Sequence, residues 1–338
     1  MELECSGCKT RYVIKDELIP SGRTLRMACK ACKAPIVISV QPHQAKQPSP
    51  ANTDAPGKED PAELKKKILK SLKDLPLVPK VALEIQNQLA QPNVNMQKVA
   101  RMIETDPGIA SKVLRIANSA YYGASGKTST ISQACLLMGI KGLSEVVLLA
   151  GTEKALSGKL PGYGYDAGEL WKHSLAVAFG SKILAQRNRP GLSSAAHTAG
   201  LIHDIGRIIL DPYIKERKQQ IEIYMQEKEK TFLDAEIEFF GFSHAEVAAE
   251  VCSSWKFPEL ITKAIQYHHN PAGSNGDLLA SILHMADHLA LMGGAGYDDD
   301  DMLSEAQKDT MTILNLKQAD LSEIVFKLLE SVNQIGAA

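Results

Sequence analysis

From about Ala62 to the end of the 338-residue chain, apolar residues return every third or fourth position, and runs that alternate with period two are few. That spacing lays one apolar stripe along a helix and gives strands no face to bury, so it predicts an all-α body. Start and stop signals punctuate the pattern. Asp106-Pro107 reads as an N-cap followed by proline at the first helical position, opening a helix with the stripe Ala110, Val113, Leu114 and Ala117. Ser243, with Glu246 three residues later, has the form of a capping box; Pro258 opens another helix and Gly293 closes one.

The first forty residues follow a different logic. Cys5-x2-Cys8 and Cys29-x2-Cys32 are separated by twenty residues, with β-prone stretches at Tyr12-Val13-Ile14 and Ile36-Val37-Ile38. This is zinc-ribbon spacing: two hairpin knuckles giving four thiolates to one tetrahedral Zn²⁺. Paired redox motifs are the alternative, and no βαβ pattern surrounds them. So small a module cannot bury enough apolar area to fold alone, so the metal would supply most of its folding free energy. Its seven Lys/Arg against four Asp/Glu nearly cancel once four thiolates and a Zn²⁺ are counted, which leaves nucleic-acid binding by the ribbon open but unsupported. Residues 41–62 carry five of the sixteen prolines and read as a flexible linker. The expected division is a β ribbon over 1–40, the linker over 41–62, an N-terminal helical lobe over 63–155, a metal-binding helical lobe over 156–293, and an acidic loop with C-terminal helices over 294–338.

At 44% hydrophobic and 23% charged residues the chain is neither disordered nor fibrous. A net charge of -1 provides no global field toward nucleic acid or anionic lipid. The start, MELECSGC, lacks a signal peptide's basic and apolar regions, and no run approaches the roughly 18 to 20 apolar residues of a membrane span, so a soluble cytoplasmic protein without a membrane partner is expected.

Ionisable residues on the apolar stripes point to chemistry. His203 and Asp204 interrupt AGLIHDIGRIIL, expected to be one helix apolar on almost every side. An unpaired carboxylate buried there costs several kcal/mol and must find a cation, a donor or a metal. His173 shares a stripe with Ala176, Val177, Gly180 and Leu184; His244 shares one with Val247, Ala248 and Val251; His268 follows Ile261, Ala264 and Ile265; Asp287 lies between Leu283 and Leu291. One histidine on an apolar face is usually a hydrogen-bonded core residue. Five such helices with two aspartates favour a shared metal site, where each polar group offsets its desolvation against a ligand bond. His269 joins if Asn270-Pro271 unwinds the last turn before it. His284 and His288 are read as surface residues, with contact to Asp287 behind the ligands as the alternative, and His197 and His43 as bystanders. SGKTST (Ser125 to Thr130) looks like a phosphate loop but lacks the required first glycine, and the acids Asp298 to Asp301 read as a solvated loop.

The runs Leu75 to Leu89, Asp106 to Gly123 and Ile131 to Leu143 resemble the HDOD domain of bacterial signalling proteins, a helical relative of the HD phosphohydrolases. The resemblance covers about Leu64 to Met292, and residues 1–40 resemble a short zinc-ribbon family found ahead of bacterial regulatory domains. The order His173, His203-Asp204, His244, His268-His269, Asp287 is similar to the ligand set of the HD-GYP branch, which binds two or three metals and hydrolyses cyclic dinucleotides. Two departures stand against that activity: HHNPAGSNGD replaces the Gly-Tyr-Pro signature, and Arg207 stands where lysine is usual.

With two ions, Asp204 would bridge, His173, His203 and Asp287 would complete one shell, and His244, His268 and His269 the other. Imidazole and carboxylate donors suit Fe, Mn, Zn, Ni or Co without choosing among them. Asp204 and Arg207 are the candidate catalytic residues, Arg207 as a bidentate partner for a substrate phosphate. Two functions follow: a signalling module that takes a protein partner or a phosphate-containing small ligand, or a metal-dependent phosphohydrolase. An open cleft over Asp204 would favour the second, a site sealed by residues 66–150 the first.

Overall fold

The computed structural model describes residues 2–4, 11–13, 24–28, 35–39, 61–71, 78–122, 128–228, 230–296 and 305–336. It divides into two units, Met1–Lys58 and Glu59–Ala338. In the first, Glu2–Glu4 pairs antiparallel with Arg11–Val13, and Thr24–Ala28 with Pro35–Ser39. The four cysteines of the expected ribbon, His43, most of the linker and the acids at 298–301 lie outside the described residues.

The second unit is helical. Its helices are α1 (Pro61–Ser71), α2 (Lys80–Leu89), α3 (Met96–Glu104), α4 (Pro107–Ala117), α5 (Ile131–Leu156), α6 (Glu169–Asn188), α7 (Ser193–Ile202), α8 (Ile205–Glu216), α9 (Lys218–Lys228), α10 (Phe232–Phe240), α11 (His244–Ser254), α12 (Glu259–Gln266), α13 (Leu278–Met292), α14 (Glu305–Ile313) and α15 (Gln318–Gly336). Several start signals act as their chemistry dictates. The Asp106 carboxylate accepts from the N–H groups of Gly108 and Ile109, with Pro107 at the first position of α4. Thr130 and Gln133 form a reciprocal capping box at the head of α5. At α11 only half of the expected box forms: Ser243 accepts from the Glu246 N–H, while the Glu246 carboxylate turns away to Lys65 of α1.

α5 is long and apolar enough to cross a membrane by length and composition, contrary to the expectation that no run approaches that size, and more than half of that stretch is buried inside the protein. Gly139 interrupts it at φ 64, ψ -176, a conformation open to glycine and strained for any other residue. α2, α3, α4 and α7 pack against it.

α6 is the spine of the body, flanked by α7, α13 and α15. Small residues bring it close to two of them. Gly180 faces Ala286 of α13, and a Cβ placed on Gly200 of α7 would lie 2.7 Å from the Ala178 Cα and the Val177 carbonyl of α6. This close packing draws together the helices that carry His173, His203 and Asp287. Because the obstacle at Gly200 is backbone, Gly200→Ala is expected to cost about 3 kcal/mol through overpacking, read as a lower urea midpoint. Gly191→Ala, which meets nothing within 4 Å, should stay within about 0.5 kcal/mol of wild type.

Candidate metal centre

The seven residues singled out on the apolar stripes converge. His173 comes from the second turn of α6 and Asp287 from within α13, while the others stand at helix ends. His203 and Asp204 do not interrupt a continuous helix, as expected from sequence; they form the turn between α7 and α8. That turn lets neighbouring side chains face one volume, which adjacent positions of a regular helix, about 100° apart, do not. His244 is the first residue of α11. α12 ends at Gln266, ahead of Asn270-Pro271, and the unwound turn brings both His268 and His269 into the cluster.

Distances centre on Asp204, which is 1% exposed. Its Oδ1 lies 3.1 Å from His244 Nε2 and 3.9 Å from His268 Nε2; its Oδ2 lies 2.8 Å from Arg207 Nε, 3.6 Å from His203 Nε2 and 3.7 Å from His173 Nε2. His173 Nε2 is also 3.1 Å from Asp287 Oδ1, and the Nε2 atoms of His244 and His269 are 2.9 Å apart. Two overlapping sets share Asp204: one with His244, His268 and His269, the other with His173 and His203.

The outer layer fixes the rings. Nδ1–H donates to a backbone carbonyl in three cases: His173 to Ala295 at 2.8 Å, His203 to Gly200 at 2.9 Å, and His268 to Ile265 at 2.6 Å. His244 Nδ1 meets the Glu236 carboxylate at 2.8 Å. Since a carbonyl only accepts, each of those three rings carries a proton on Nδ1 and turns Nε2 inward. On His203 and His268, both lowered by burial, that nitrogen presents the lone pair metal-ligating imidazoles require, whereas His173 Nε2 faces the Asp287 carboxylate and would have to give up a proton first. Four inward atoms, both Asp204 oxygens and the Nε2 of His203 and His268, have no aligned hydrogen-bond partner. Buried polar atoms left so are uncommon, and several facing one volume fit a bound ion.

Burial alone would raise the Asp204 carboxyl; Arg207 and the His203 and His244 rings outweigh it and hold it well below the usual carboxylate range. Burial also opposes charge on His244, yet the Glu236 and Asp204 carboxylates raise that ring to about 9. At His268 burial, helped by the neighbouring His203, outweighs the Asp204 and Asp287 carboxylates and drops the ring to about 3.

Several partners carry no sequence expectation. Glu236 holds His244 through both its ring and its backbone N–H and also accepts the Tyr163 hydroxyl at 2.6 Å. Its signal was available: a carboxylate beside Ala235 and four residues before Phe240, on a buried face. The Arg207 guanidinium lies over the rings of Tyr163 and Tyr165. These three residues, with Phe232 and His269, line an opening of about 130 Å³. Among the described residues the opening is therefore lined by the 160–165 turn, the start of α10 and His269, and none of its lining comes from 66–150. His284 and His288, expected at the surface, are buried. Neighbouring helices enclose α13, and His284 Nδ1–H donates to the His268 carbonyl at 2.7 Å.

The HDOD domain model matches residues 75–271. The chain belongs to the HDOD domain family. An HDOD domain protein of unknown function from Geobacter sulfurreducens superposes with TM-score 0.64 at 26% identity, covering 82% of this chain and 97% of its own. A protein from Shewanella amazonensis, provisionally named a phosphohydrolase, gives TM-score 0.62 at 25% identity over 79% and 95%. An uncharacterized protein of Treponema pallidum is 24% identical over 200 residues, which is 58% of this HDOD chain and 38% of that relative's length.

These shifts set an expected stability profile for the metal-free protein. His244, raised above its unfolded value of about 6.5, contributes stability that is complete below that pH and is lost as pH rises through about 9. His268, lowered to about 3, and His197 of α7, lowered by burial to about 4, do the reverse: their contribution is present above about 6.5 and is lost as pH falls toward those values. Stability is therefore expected to peak near neutrality. Urea midpoints at pH 8.5, 6.5 and 4.5 in the presence of chelator check this, and a midpoint at 4.5 equal to that at 6.5 would contradict it.

Proposed function

We propose that the chain is a cytoplasmic regulatory protein whose helical body holds a two-metal centre, with Asp204 as the ligand common to both ions. His173, His203 and Asp287 would complete one set, and His244, His268 and His269 the other. The observation that carries this reading is the convergence of unpartnered buried atoms on one volume beneath a narrow opening. At about 130 Å³ that opening is well below the roughly 300 Å³ at which small-molecule sites begin, which weighs against a dinucleotide substrate. Imidazole and carboxylate donors fit Fe, Mn, Zn, Ni or Co. The four N-terminal cysteines are proposed to hold a separate Zn²⁺ on the strength of their spacing.

Metal-dependent phosphohydrolysis of a small phosphate ester is the second reading, favoured by the shared position of Arg207 and His269 on the opening. Bound ions would supply Lewis acidity and a hydroxide at neutral pH. Arg207 would then direct its guanidinium at a phosphoryl oxygen, with the tyrosine pair excluding water around it. Against this, Arg207 already pairs with Asp204.

Metal analysis decides first. Wild type is expected to carry stoichiometric metal beyond that bound by the cysteines; Asp204→Ala should lose it and keep its helical circular dichroism. Assays with p-nitrophenyl phosphate and bis(p-nitrophenyl) phosphate separate the readings: no turnover by the metal-loaded protein supports regulation, and turnover that disappears in Asp204→Ala supports hydrolysis. A helical body without metal ends both. Glu236→Gln, which weakens the outer support of His244, is expected to lower metal affinity about tenfold in competition with a fluorescent chelator.

A further inference from the structure

A larger cavity, of about 320 Å³, lies elsewhere in the body, between α2 and α5 on one side and α7 and the α11–α12 connection on the other. This reaches the size of small-molecule sites. Its wall is apolar and aromatic where Ile140, Trp255 and Phe257 contribute, and polar where the α2 amides Gln86 and Asn87 and the hydroxyls of α5 and α7 do. Two cations, Lys141 and Lys256, stand at its exposed edge, and no carboxylate lines it. Neither lysine has an ion-pair partner among the described residues.

Lys256 adds a second, independent observation. α11 ends in a Schellman motif: the Phe257 N–H bonds to the Cys252 carbonyl at 3.0 Å, and the Lys256 N–H to the Ser253 carbonyl at 2.9 Å. The residue between helix end and loop must then be left-handed, and Lys256 has φ 64. Glycine is the usual occupant because a Cβ is strained there. A lysine that occupies this position, lines an aromatic cavity and has no ion-pair partner among the described residues is a backbone outlier of the sort that motivates a search for a ligand.

We propose that this cavity binds a small aromatic anion: one ring system against Trp255, Phe257 and Ile140, with a single phosphate, sulfonate or carboxylate between Lys141 and Lys256. An apolar peptide would leave both cations unanswered, whereas an aromatic anion pairs with them while its ring buries the apolar wall. The volume of about 320 Å³ suits a ligand of mononucleotide size. This site is independent of the proposed metal centre, so it stands or falls without it.

Two probes of the same body separate the parts of the claim: 8-anilinonaphthalene-1-sulfonate, which carries one anionic group, and N-phenyl-1-naphthylamine, which carries none. In the full chain the sulfonate is expected to bind saturably with one site per chain, and energy transfer to it from tryptophan should be lost in Trp255→Phe while Trp171 remains. Lys141→Gln combined with Lys256→Gly should weaken the sulfonate at least tenfold and leave the neutral probe within twofold. Lys256→Gly places the favoured residue in the left-handed position, so this variant should fold as well as wild type, and its urea midpoint verifies that. Ala195→Phe, which fills the cavity, should abolish both. Equal affinity of wild type for the two probes, or sulfonate binding unchanged in the double lysine variant, overturns the proposal.

Discussion

A carboxylate withdrawn from water is the constraint around which the helical body is arranged. Asp204 lies among four imidazole nitrogens and one guanidinium, with neither oxygen accepting an aligned hydrogen bond. Its ionised state is sustained chiefly by surrounding positive charge, from Arg207 and the His203 and His244 rings, with the close His244 contact adding to it. In the metal-free chain Asp204, Asp287 and Glu236 are answered by Arg207 and by two imidazoles, His173 and His244, whose hold on a proton is raised. Divalent ions at the proposed centre would take over that role and release those protons, which makes metal affinity fall with acidification.

Helix ends, more than helix faces, deliver the cluster. The turn between α7 and α8 presents His203 and Asp204 together, α11 begins at His244, and the residues just past α12 present His268 and His269. Gly206, in the first turn of α8, makes room for this: a Cβ there would collide with the His244 carbonyl. Glycine at this position lets α8 meet the start of α11 at backbone distance, and Asp204 and His244 thereby come within 3.1 Å.

The sequence made the residue set legible because burial selects for it: an ionisable side chain on an apolar stripe needs a reason to be there, and shared reasons imply a shared place. The exit of His268 and His269 from their helix was readable too, from Asn270-Pro271. The break at His203-Asp204 was not, because no proline or turn residue marks it and the approach of α8 to α11 is a tertiary event. The misplacement of His284 and His288 has a related cause. Amphipathic reading assigns each helix a wet face, but α13 is surrounded by α6, α7, α12, α14 and α15, so its polar face is as dry as its apolar one. The covering of the site was also beyond reach, since Tyr163 and Tyr165 belong to a short turn without periodicity.

That turn ties the entrance to the interior. Leu160 and Tyr165 close it with paired backbone hydrogen bonds, and Asp211 of α8 clamps its tip by accepting from the Gly162 N–H at 2.7 Å. A Cβ at Gly162 would lie 2.5 Å from the Asp211 carbonyl, so the turn sits directly on the helix that follows Asp204. Tyr163 then reaches inward to Glu236, the same carboxylate that orients His244, while its ring supports Arg207. A proton lost or gained at His244 changes the charge that Glu236 faces, and Glu236 holds the residue that forms the rim. One buried carboxylate, Glu236, is thus the acceptor shared by the ring of the inner cluster, His244, and by the residue that forms the rim, Tyr163.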